Sequence, residues 1–227
     1  MLFVLRTGVA WWHVPAEAVG CSGVTVWRRL KGWTEAGGLA TPARDPTDRA
    51  APRALVGPGR LLRGRRARPG VERGDHVGLS PVDRARSGSK HHLIVDRQGT
   101  PLAVTLTGGN RHDVTQLLPL LDAIPSIRGR QGRPRRKPRR LYADRGYDFD
   151  KHRRLLWRRG IKPMIARRGV ANGSGLGKVR WVVERTFAWL RQVKRLRIRY
   201  ERRADLHQGQ LQLACSLICL RRLRTSY

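Results

Sequence analysis

The stretch RRLYADRGYDFDKHRRLLWRRGIKPMIARR, residues 139–168, indicates the class of fold. Residues 139–146 predict a strand whose polar end carries Asp144, and residues 161–168 predict a second short strand. Between them, residues 150–160 have the pattern of a helix that Gly160 closes. Two strands that flank a helix are the repeating unit of sheets covered by helices, so this stretch predicts an α/β or α+β domain.

The residues before this stretch predict the neighbouring part of the same sheet. KHHLIVDRQGTPLAVTLTGG has the pattern of a hairpin with strands at 91–96 and 102–107 and a turn at Gln98-Gly99. DVTQLLPLLDAIP, residues 113–125, predicts a helix with Asp113 as its N-cap. A basic loop rich in Gly and Pro follows at 127–140 and leads into the first strand of the stretch quoted above.

The residues after this stretch predict two further helices. ARRGVANGSGLGK has the composition of a flexible loop, and residues 178–195 predict a helix that carries Glu184 among many cations. A mostly apolar helix at about 208–223 closes the domain, and Cys215 and Cys219 are expected to be small apolar core residues on it. The resulting order β-β-α-β-α-β-α fits a mixed sheet with flanking helices.

Residues 1–36 predict a small helical segment. Helices are expected at about 2–7 and 23–35, with Ser22 as the N-cap of the second. On that second helix Val26, Leu30 and Trp33 share a face. Arg28 and Arg29 lie on other faces, so the helix resembles the second half of a helix-turn-helix that binds DNA. A solvated basic surface helix is the alternative interpretation.

Residues 37–74 differ from the rest of the chain. They consist mostly of Arg, Gly, Pro and Ala, without an aromatic residue, Ile or Lys, and without a sustained helix or strand period. This composition predicts an irregular basic linker. A reading-frame slip in a GC-rich gene is a second explanation, and under either explanation the segment is expected to contribute no core.

The overall charge points to a polyanionic partner. The 227 residues carry a formal charge of +32, which favours nucleic acid as the ligand. Apolar runs are shorter than the roughly 18 residues of a spanning helix, and the N-terminus lacks a leader with a cleavage site, so we expect no membrane association. Three cysteines form no disulfide framework, which fits a reducing cytoplasm.

Asp144 and Glu184 are the candidate catalytic and metal-binding carboxylates. Phosphodiester cleavage by two metals needs carboxylates that hold divalent ions, and hard oxygen ligands favour Mg²⁺ or Mn²⁺. On the helix of Glu184, Arg180 precedes it by four residues and Arg191 follows it by seven, so the three can share a face. A turn-initiating role for Asp144 and a surface ion pair of Glu184 with Arg180 are the simpler alternatives.

Two other motifs are weaker. His91 and His92 alternate on a predicted strand and cannot share a face, so they make a poor zinc site. GSGLGK at 173–178 lacks the ending and the preceding strand of a nucleotide-binding loop, and it is interpreted as flexible backbone, which lies against DNA or is free.

Beyond these motifs, nearly all of residues 79–223 resembles the transposases of the DDE type in the insertion sequence 5 group. The similarity lies in LSPVDRARSGSKHHLIVDRQGTPLAVTLTGGNRHDVTQLLPLLDAIP, LYADRGYDFDKHRRLLWRRGIKPMIARRG and GLGKVRWVVERTFAWLRQVKRLRIRYERRADLHQGQLQLACSLICLRRL. Its most specific element is Arg180, Glu184 and the cation Arg191, which is usually Lys in the family. The family's Tyr three positions before Arg180 is Gly177 here. Residues 2–36 resemble the end of the family's helical DNA-binding region, which implies an N-terminal truncation.

This resemblance implies a ribonuclease-H-like fold and a function. The expected domains are a partial helical DNA-binding segment at 1–36, the linker at 37–74 and a catalytic domain at 75–227. The activity implied is Mg²⁺-dependent (or Mn²⁺-dependent) cleavage at transposon ends, followed by strand transfer. Asp144 and Glu184 match the family's second and third catalytic residues.

The resemblance also implies the partners. They are DNA, as terminal inverted repeats and as target, and further copies of the chain in a homo-oligomer. The expected place of action is the cytoplasm of a bacterium, at the nucleoid. The residues expected to contact DNA all carry a positive charge. They are Arg180, Arg191, Lys178, Lys194, Arg28 and Arg29.

The family's first catalytic Asp is missing. The family carries it on the opening strand within Asp-Gly-Ser-His, and this motif is expected within about 60–72, where the sequence departs from the family. Because the family resemblance is present on both flanks of this segment and lost between them, a compensated frame slip over about 37–74 is the preferred explanation. We therefore expect the first strand of the sheet to be missing and catalysis to be impaired or absent. Asp75, Asp83 and Asp96 are the other acidic residues weighed as substitutes, and the resemblance places all three elsewhere. A non-catalytic DNA-binding remnant or repressor, or a general basic nucleic-acid-binding protein, is the alternative.

Overall fold

The computed structural model describes most of the chain, with gaps. The described residues are 1–39, 53–56, 60–63, 74–81, 87–127, 134, 136–170 and 177–225. The side chains of 53, 54, 60–63, 177–180 and 225 lie outside this description.

The described residues form seven strands, seven α-helices and four short 3₁₀ turns. The strands are β1 (Arg53–Val56), β2 (Arg60–Arg63), β3 (Gly78–Leu79), β4 (Ser87–Asp96), β5 (Pro101–Gly108), β6 (Arg140–Ala143) and β7 (Lys162–Ile165). The helices are α1 (Leu2–Thr7), α2 (Ala16–Val19), α3 (Gly23–Glu35), α4 (Leu117–Asp122), α5 (Asp150–Arg158), α6 (Gly177–Gln192) and α7 (Ala204–Thr225). The 3₁₀ turns are Trp11–His13, Asp113–Gln116, Arg145–Tyr147 and Lys194–Leu196. Within these elements, no helix is long and apolar enough to cross a membrane.

All seven strands belong to one mixed sheet. The central order is β5-β4-β1-β6-β7, in which β4 is antiparallel to both β5 and β1, and β1, β6 and β7 run parallel to one another. β2 also pairs antiparallel with β4, at residues 88–91, which are nearer the start of β4 than the residues that pair with β1. β3 adds two residues to β4. This is the mixed sheet with flanking helices expected from the sequence.

The expectation that the first strand is missing is wrong, and so is the expectation that residues 37–74 contribute no core. β1 lies inside this segment and occupies the centre of the sheet, with Val56 in register with Ile94 on one side and with Ala143 on the other. Leu55 and Val56 are only 2% and 3% exposed. The three residues Ala-Leu-Val supply enough apolar surface for a buried strand, although their arginine- and glycine-rich surroundings hide the pattern.

Two apolar clusters cover the two faces of the sheet. On one face, Val56, Leu141 and Ala143 pack with residues of α4 and α5. On the other face, Leu55 and Leu93 pack with residues of α6 and α7. Because successive side chains of a strand point to opposite faces, β1 contributes one residue to each cluster and connects the two cores.

Several predicted boundaries move by a few residues. The predicted helix at 113–125 is a 3₁₀ turn at Asp113–Gln116 followed by α4 at Leu117–Asp122. Its N-cap is not Asp113, because the His112 Nδ1 accepts from the Val114 amide and the Asp113 carboxylate pairs with Lys90 at 3.0 Å. The closing helix, α7, begins at Ala204 rather than near 208.

The N-terminal segment packs against the domain that contains the sheet. α1 and α3 have the predicted bounds, and the Ser22 hydroxyl accepts from the Thr25 amide as the expected N-cap. Val26 and Leu30 are buried, but Trp33 is 46% exposed and so lies outside the buried face predicted for it. Leu30 packs with Leu206 of α7 in a third apolar cluster.

A buried ion pair holds the same interface. The Arg195 guanidinium is 4% exposed, contacts Glu201 at 2.7 Å and donates to the Val9 carbonyl. The Glu201 carboxylate also accepts from the Trp11 indole at 3.0 Å. A buried charge needs a partner of opposite charge, so the contact fixes residues 9–11 on the domain.

Leu55→Ala tests whether β1 is a core strand in solution. Removing a buried Leu side chain should lower the free energy of unfolding by about 2–5 kcal/mol, because Leu55 is 2% exposed between α6 and the sheet. Urea unfolding followed by circular dichroism measures this difference. The matched control is Leu79→Ala, since Leu79 is 58% exposed and its truncation should change stability by less than about 0.5 kcal/mol. Equal, small effects of both substitutions would show that 53–56 is not in the core.

Candidate catalytic site and DNA contacts

Asp144 directly follows β6 and begins the 3₁₀ turn Arg145–Tyr147. Its carboxylate accepts from the Gly146 amide at 2.9 Å, so the turn-initiating role is real. The side chain is half-buried, and a carboxylate can accept several hydrogen bonds. Next to it, burial raises the pKa of the Tyr147 phenol, and the carboxylates of Asp113 and Asp144 raise it further. These two negative charges therefore lie close to one buried ring at the end of β6.

Glu184 lies half-buried on α6, and the residues around it fix the helix against the sheet. Val182, Val183 and Phe187 are buried in the cluster that covers β1 and β4. The Thr186 hydroxyl donates to the Gly99 carbonyl at 2.8 Å. Gly99 has a φ of +85°, and a Cβ there would lie 2.9 Å from the Thr186 hydroxyl, so this close approach requires glycine.

Arg185, which the sequence interpretation did not single out, contributes to the same anchoring. Its guanidinium lies over the rings of Trp181 and Trp189, at 4.5 and 4.9 Å from their centroids, and donates to the Gln98 carbonyl. The signal was present in the sequence, because residues four apart on a helix are neighbours and arginine stacks on tryptophan. Arg185 thus fixes the part of α6 that carries Glu184 to the turn between β4 and β5.

Asp144 and α6 belong to the same side of the sheet. Leu141 and Ala143 pack in the cluster of α4 and α5, whereas Tyr142 packs against the cluster of α6 and α7. Continuing this alternation by two residues assigns position 144 to the side of Tyr142. Asp144 and Glu184 therefore lie on the same side of the sheet.

The described residues do not complete a two-metal site. The described residues contain no group of three or more His, Cys, Asp or Glu side chains that could hold a metal ion. β1 is the neighbour of β6, with Val56 in register with Ala143, and the sequence from 53 to 71 contains no acidic residue. Where Asp144 follows Ala143, glycine follows Val56. Two carboxylates without a bridging partner are a weak site for two divalent cations.

The other acidic candidates have different environments. Both the Gln98 and Thr100 amides donate to the Asp96 carboxylate at 2.8 Å, in the turn that closes the β4–β5 hairpin. Asp96 is in register with Ala54 near the start of β1, away from the end where Asp144 lies. Asp75 is exposed, and Asp83 lies outside the described residues. Asp96 is thus a turn residue. This role agrees with the expectation that Asp96 is not the first catalytic residue.

The cations predicted to contact DNA are placed in three groups. Arg28 and Arg29 are exposed on α3, whose buried face carries Val26 and Leu30. Arg191 and Lys194 are exposed at and beyond the end of α6. Lys178 and Arg180 lie in the first turn of α6, and their side chains are outside the description, so the pairing of Arg180 with Glu184 stays a prediction.

His91 and His92 lie in different surroundings, and the expectation that Cys215 and Cys219 are core residues is confirmed. His91 is buried and its Nε2 lies 2.8 Å from the Nε2 of His207 on α7, whereas the His92 Nε2 contacts the Thr107 hydroxyl at 2.7 Å. The two neighbours therefore have separate partners. Cys215 and Cys219 are buried core residues, and burial raises the pKa of the Cys219 thiol to about 12.

Asp96→Asn tests the assignment of Asp96 as a turn residue. Burial raises the pKa of this carboxyl above its usual 3.8, so the parent loses stability as the pH rises from about 3.8 through the folded-state pKa. Asparagine keeps an oxygen that accepts both amides and carries no charge. At pH 7 the variant should therefore be at least as stable as the parent, and the difference should vanish below about pH 3.8.

Urea unfolding across this pH range measures the effect. The comparison variant is Asp96→Ala, which leaves two partly buried amides without their acceptor and should cost about 1–3 kcal/mol. An asparagine variant as unstable as the alanine variant at pH 7 would contradict the assignment.

Comparison with known proteins shows which family the chain resembles. Residues 73–219 match the family model of the transposase DDE domain. A Burkholderia cepacia protein described as a transposase for insertion sequence element IS402 is 57% identical over 180 residues, which cover 75% of this chain and 82% of that protein. An uncharacterized 16.2 kDa protein of insertion element IS402 from the same species is 60% identical over 38 residues, 16% of this chain and 25% of that protein. The transposase for insertion sequence element IS1106 of Neisseria meningitidis serogroup B is 28% identical over 151 residues, 61% of this chain and 47% of that protein. The chain belongs to the family of transposases with a DDE domain.

Proposed function

We propose that this protein binds the terminal inverted repeats of an insertion sequence and that its metal-dependent cleavage and strand transfer are impaired. We place it in the insertion sequence 5 group, acting at the nucleoid of a bacterial cell as a homo-oligomer on repeat and target DNA. In its catalytic domain we include β1 and β2, in addition to residues 75–227. Residues 1–36 form the DNA-binding segment.

One observation carries the proposal of impairment. β1 lies directly beside β6, and its chain continues without a carboxylate at the end where β6 is followed by Asp144. Domains of this family use divalent metals, and two such ions need carboxylates that hold both. Asp144 and Glu184 supply two of the required side chains. The protein therefore retains the scaffold and part of the ligand set, but not the residue expected to connect the two ions.

The DNA-binding part of the proposal is supported by charge and by exposure. The exposed Arg28 and Arg29 lie on a helix whose other face is anchored on α7. Arg191 and Lys194 lie on the helix of Glu184 and just beyond it, where cations can hold the phosphates of a bound DNA end. We propose that these four residues, together with Lys178 and Arg180, contact the DNA backbone.

The experiment is a binding and nicking assay on the ends of the insertion sequence that encodes the protein. The parent should shift an end-containing duplex in preference to a scrambled duplex at moderate salt, because only specific binding keeps a sequence preference there. With Mg²⁺ or Mn²⁺ it should nick the end at the rate of Asp144→Ala, since the site is already incomplete. Nicking by the parent that Asp144→Ala abolishes would contradict impairment, and equal binding of both duplexes would contradict end recognition.

A second candidate function is repression of an intact copy of the same element. It is favoured by the combination of an anchored, exposed basic helix with an incomplete metal site, since end binding without cleavage would block access to the ends. Co-expression with an intact transposase distinguishes this role. Repression should be lost in Arg28→Ala/Arg29→Ala and kept in Asp144→Ala.

Gly57→Asp tests the location of the missing carboxylate. Gly57 lies outside the described residues, but in sequence it follows Val56 as Asp144 follows Ala143, and these two strand residues are in register. Restoring an acidic residue there should raise metal-dependent nicking at least tenfold above the parent, because a third ligand joins Asp144 and Glu184.

Gly59→Asp is the matched control, since it introduces the same residue two positions further along the chain. It should leave nicking at the level of the parent. Equal nicking by both variants would contradict the assignment of position 57, and loss of the gain in Gly57→Asp/Asp144→Ala would support the shared site.

A further inference from the structure

A pocket of about 670 Å³ lies at the edge of the sheet where β6 and β7 begin. Its walls come from the end of α4, the residues before β6 and the turn before β7. The polar side chains that line it are Asp122, Ser126, Arg136, Lys137 and Arg159. None of these residues was part of the predicted DNA-binding set.

The pocket carries excess positive charge. The Arg159 guanidinium pairs with Asp122 through both of its terminal nitrogens. Arg136 donates to the Ser126 hydroxyl at 2.7 Å and Lys137 donates to the Arg159 carbonyl at 2.7 Å. These neutral acceptors orient the two cations without neutralising them, and no described carboxylate forms a salt bridge with either. One carboxylate thus faces three cations.

Further cations extend the charge along the strand ends. Arg140 opens β6 and Lys162 opens β7, and the two are in register across neighbouring strands. The Lys162 amide donates to the carbonyl of Arg139, and Arg158 ends α5 beside the same turn. All four side chains are exposed. The charges therefore form a row along the edge rather than a single point, which suits the repeating phosphates of a nucleic-acid backbone.

This edge, which we call the strand-start edge (Arg136, Lys137, Arg139, Arg140, Arg158, Arg159 and Lys162), lies opposite the catalytic candidates at the strand ends. Asp144 follows the last residue of β6, whereas Arg139 precedes its first residue. Five residue steps of about 3.3 Å each, from Arg139 to Asp144, put roughly 16 Å between the two edges. A duplex held at the strand-start edge is thus separate from one held at Asp144.

We infer that the strand-start edge binds the backbone of a second DNA duplex. The choice of DNA rather than another polyanion rests on the proposed function, whereas the site itself rests on the pocket and its cations. One chain then holds one duplex at each edge and brings two DNA segments together. Sequence preference is not expected at this edge, because its cations offer charge to phosphates.

The first test measures bridging between two duplexes by the full-length protein. A bead-bound duplex is incubated with protein and a fluorescent second duplex of unrelated sequence. Arg136→Ala/Lys137→Ala/Lys162→Ala should lower retention of the fluorescent duplex at least tenfold and should keep binding of the bead-bound duplex within about threefold. The matched control, Arg6→Ala/Arg111→Ala/Arg202→Ala, removes three exposed cations elsewhere and should bridge like the parent.

The second test needs no substitution, so it stays decisive if a variant misfolds. Acetylation of native protein followed by mass spectrometry should show Lys137 and Lys162 protected several-fold by duplex DNA and unprotected by inorganic phosphate. Equal protection by inorganic phosphate would reduce the site to an anion pocket and overturn the inference.

The outcomes separate the two proposals. If the parent binds duplex DNA but both triple variants bridge alike, only the strand-start edge is refuted. If the parent binds no duplex, the proposed function and this inference fail together.

Discussion

The pairing of β1 with β4 on one side and with β6 on the other is the contact on which the rest of the structure depends. It is antiparallel on the first side and parallel on the second, so it joins the hairpin half of the sheet to the half that carries Asp144. Leu55 and Val56 then place one side chain in each apolar cluster. Four residues in an otherwise glycine- and arginine-rich segment thus connect two halves and two cores, and their loss would leave two unpaired strand edges.

The same pairing maintains the fold but does not by itself provide a metal site. The scaffold that brings β6 beside β1 is retained, and α6 is fixed over it by Thr186 on Gly99 and by Arg185 between two tryptophans. A metal site, however, depends on particular oxygen atoms rather than on the strand that carries them. An arginine- or glycine-containing strand can keep its hydrogen bonds and its two apolar contacts while losing the one carboxylate that matters. We therefore propose that this segment keeps its place in the fold without supplying the expected metal ligand.

The parts of the fold with local signals could be predicted from the sequence. These signals come from residues close together in the chain. They mark the hairpin turn at Gln98-Gly99, the cap at Ser22 and the helix that carries Glu184. β1 could not be predicted, because only three apolar residues mark it and its stability comes from partners about 40 and 85 residues away in the sequence. Asp144 and Glu184 were candidates from their sequence context and then matched the family motif. The cations at the strand-start edge become a group only when β6 and β7 are paired.

The most direct test of an incomplete metal site is to count the Mn²⁺ ions bound per chain. Electron paramagnetic resonance in the absence of DNA measures this number. We expect the parent to bind fewer than two ions in the range of manganese concentration where an intact site would fill. Asp144→Asn should change this binding little. Two ions bound with high affinity, both lost in Asp144→Asn, would show that a third carboxylate completes the site and would contradict the account.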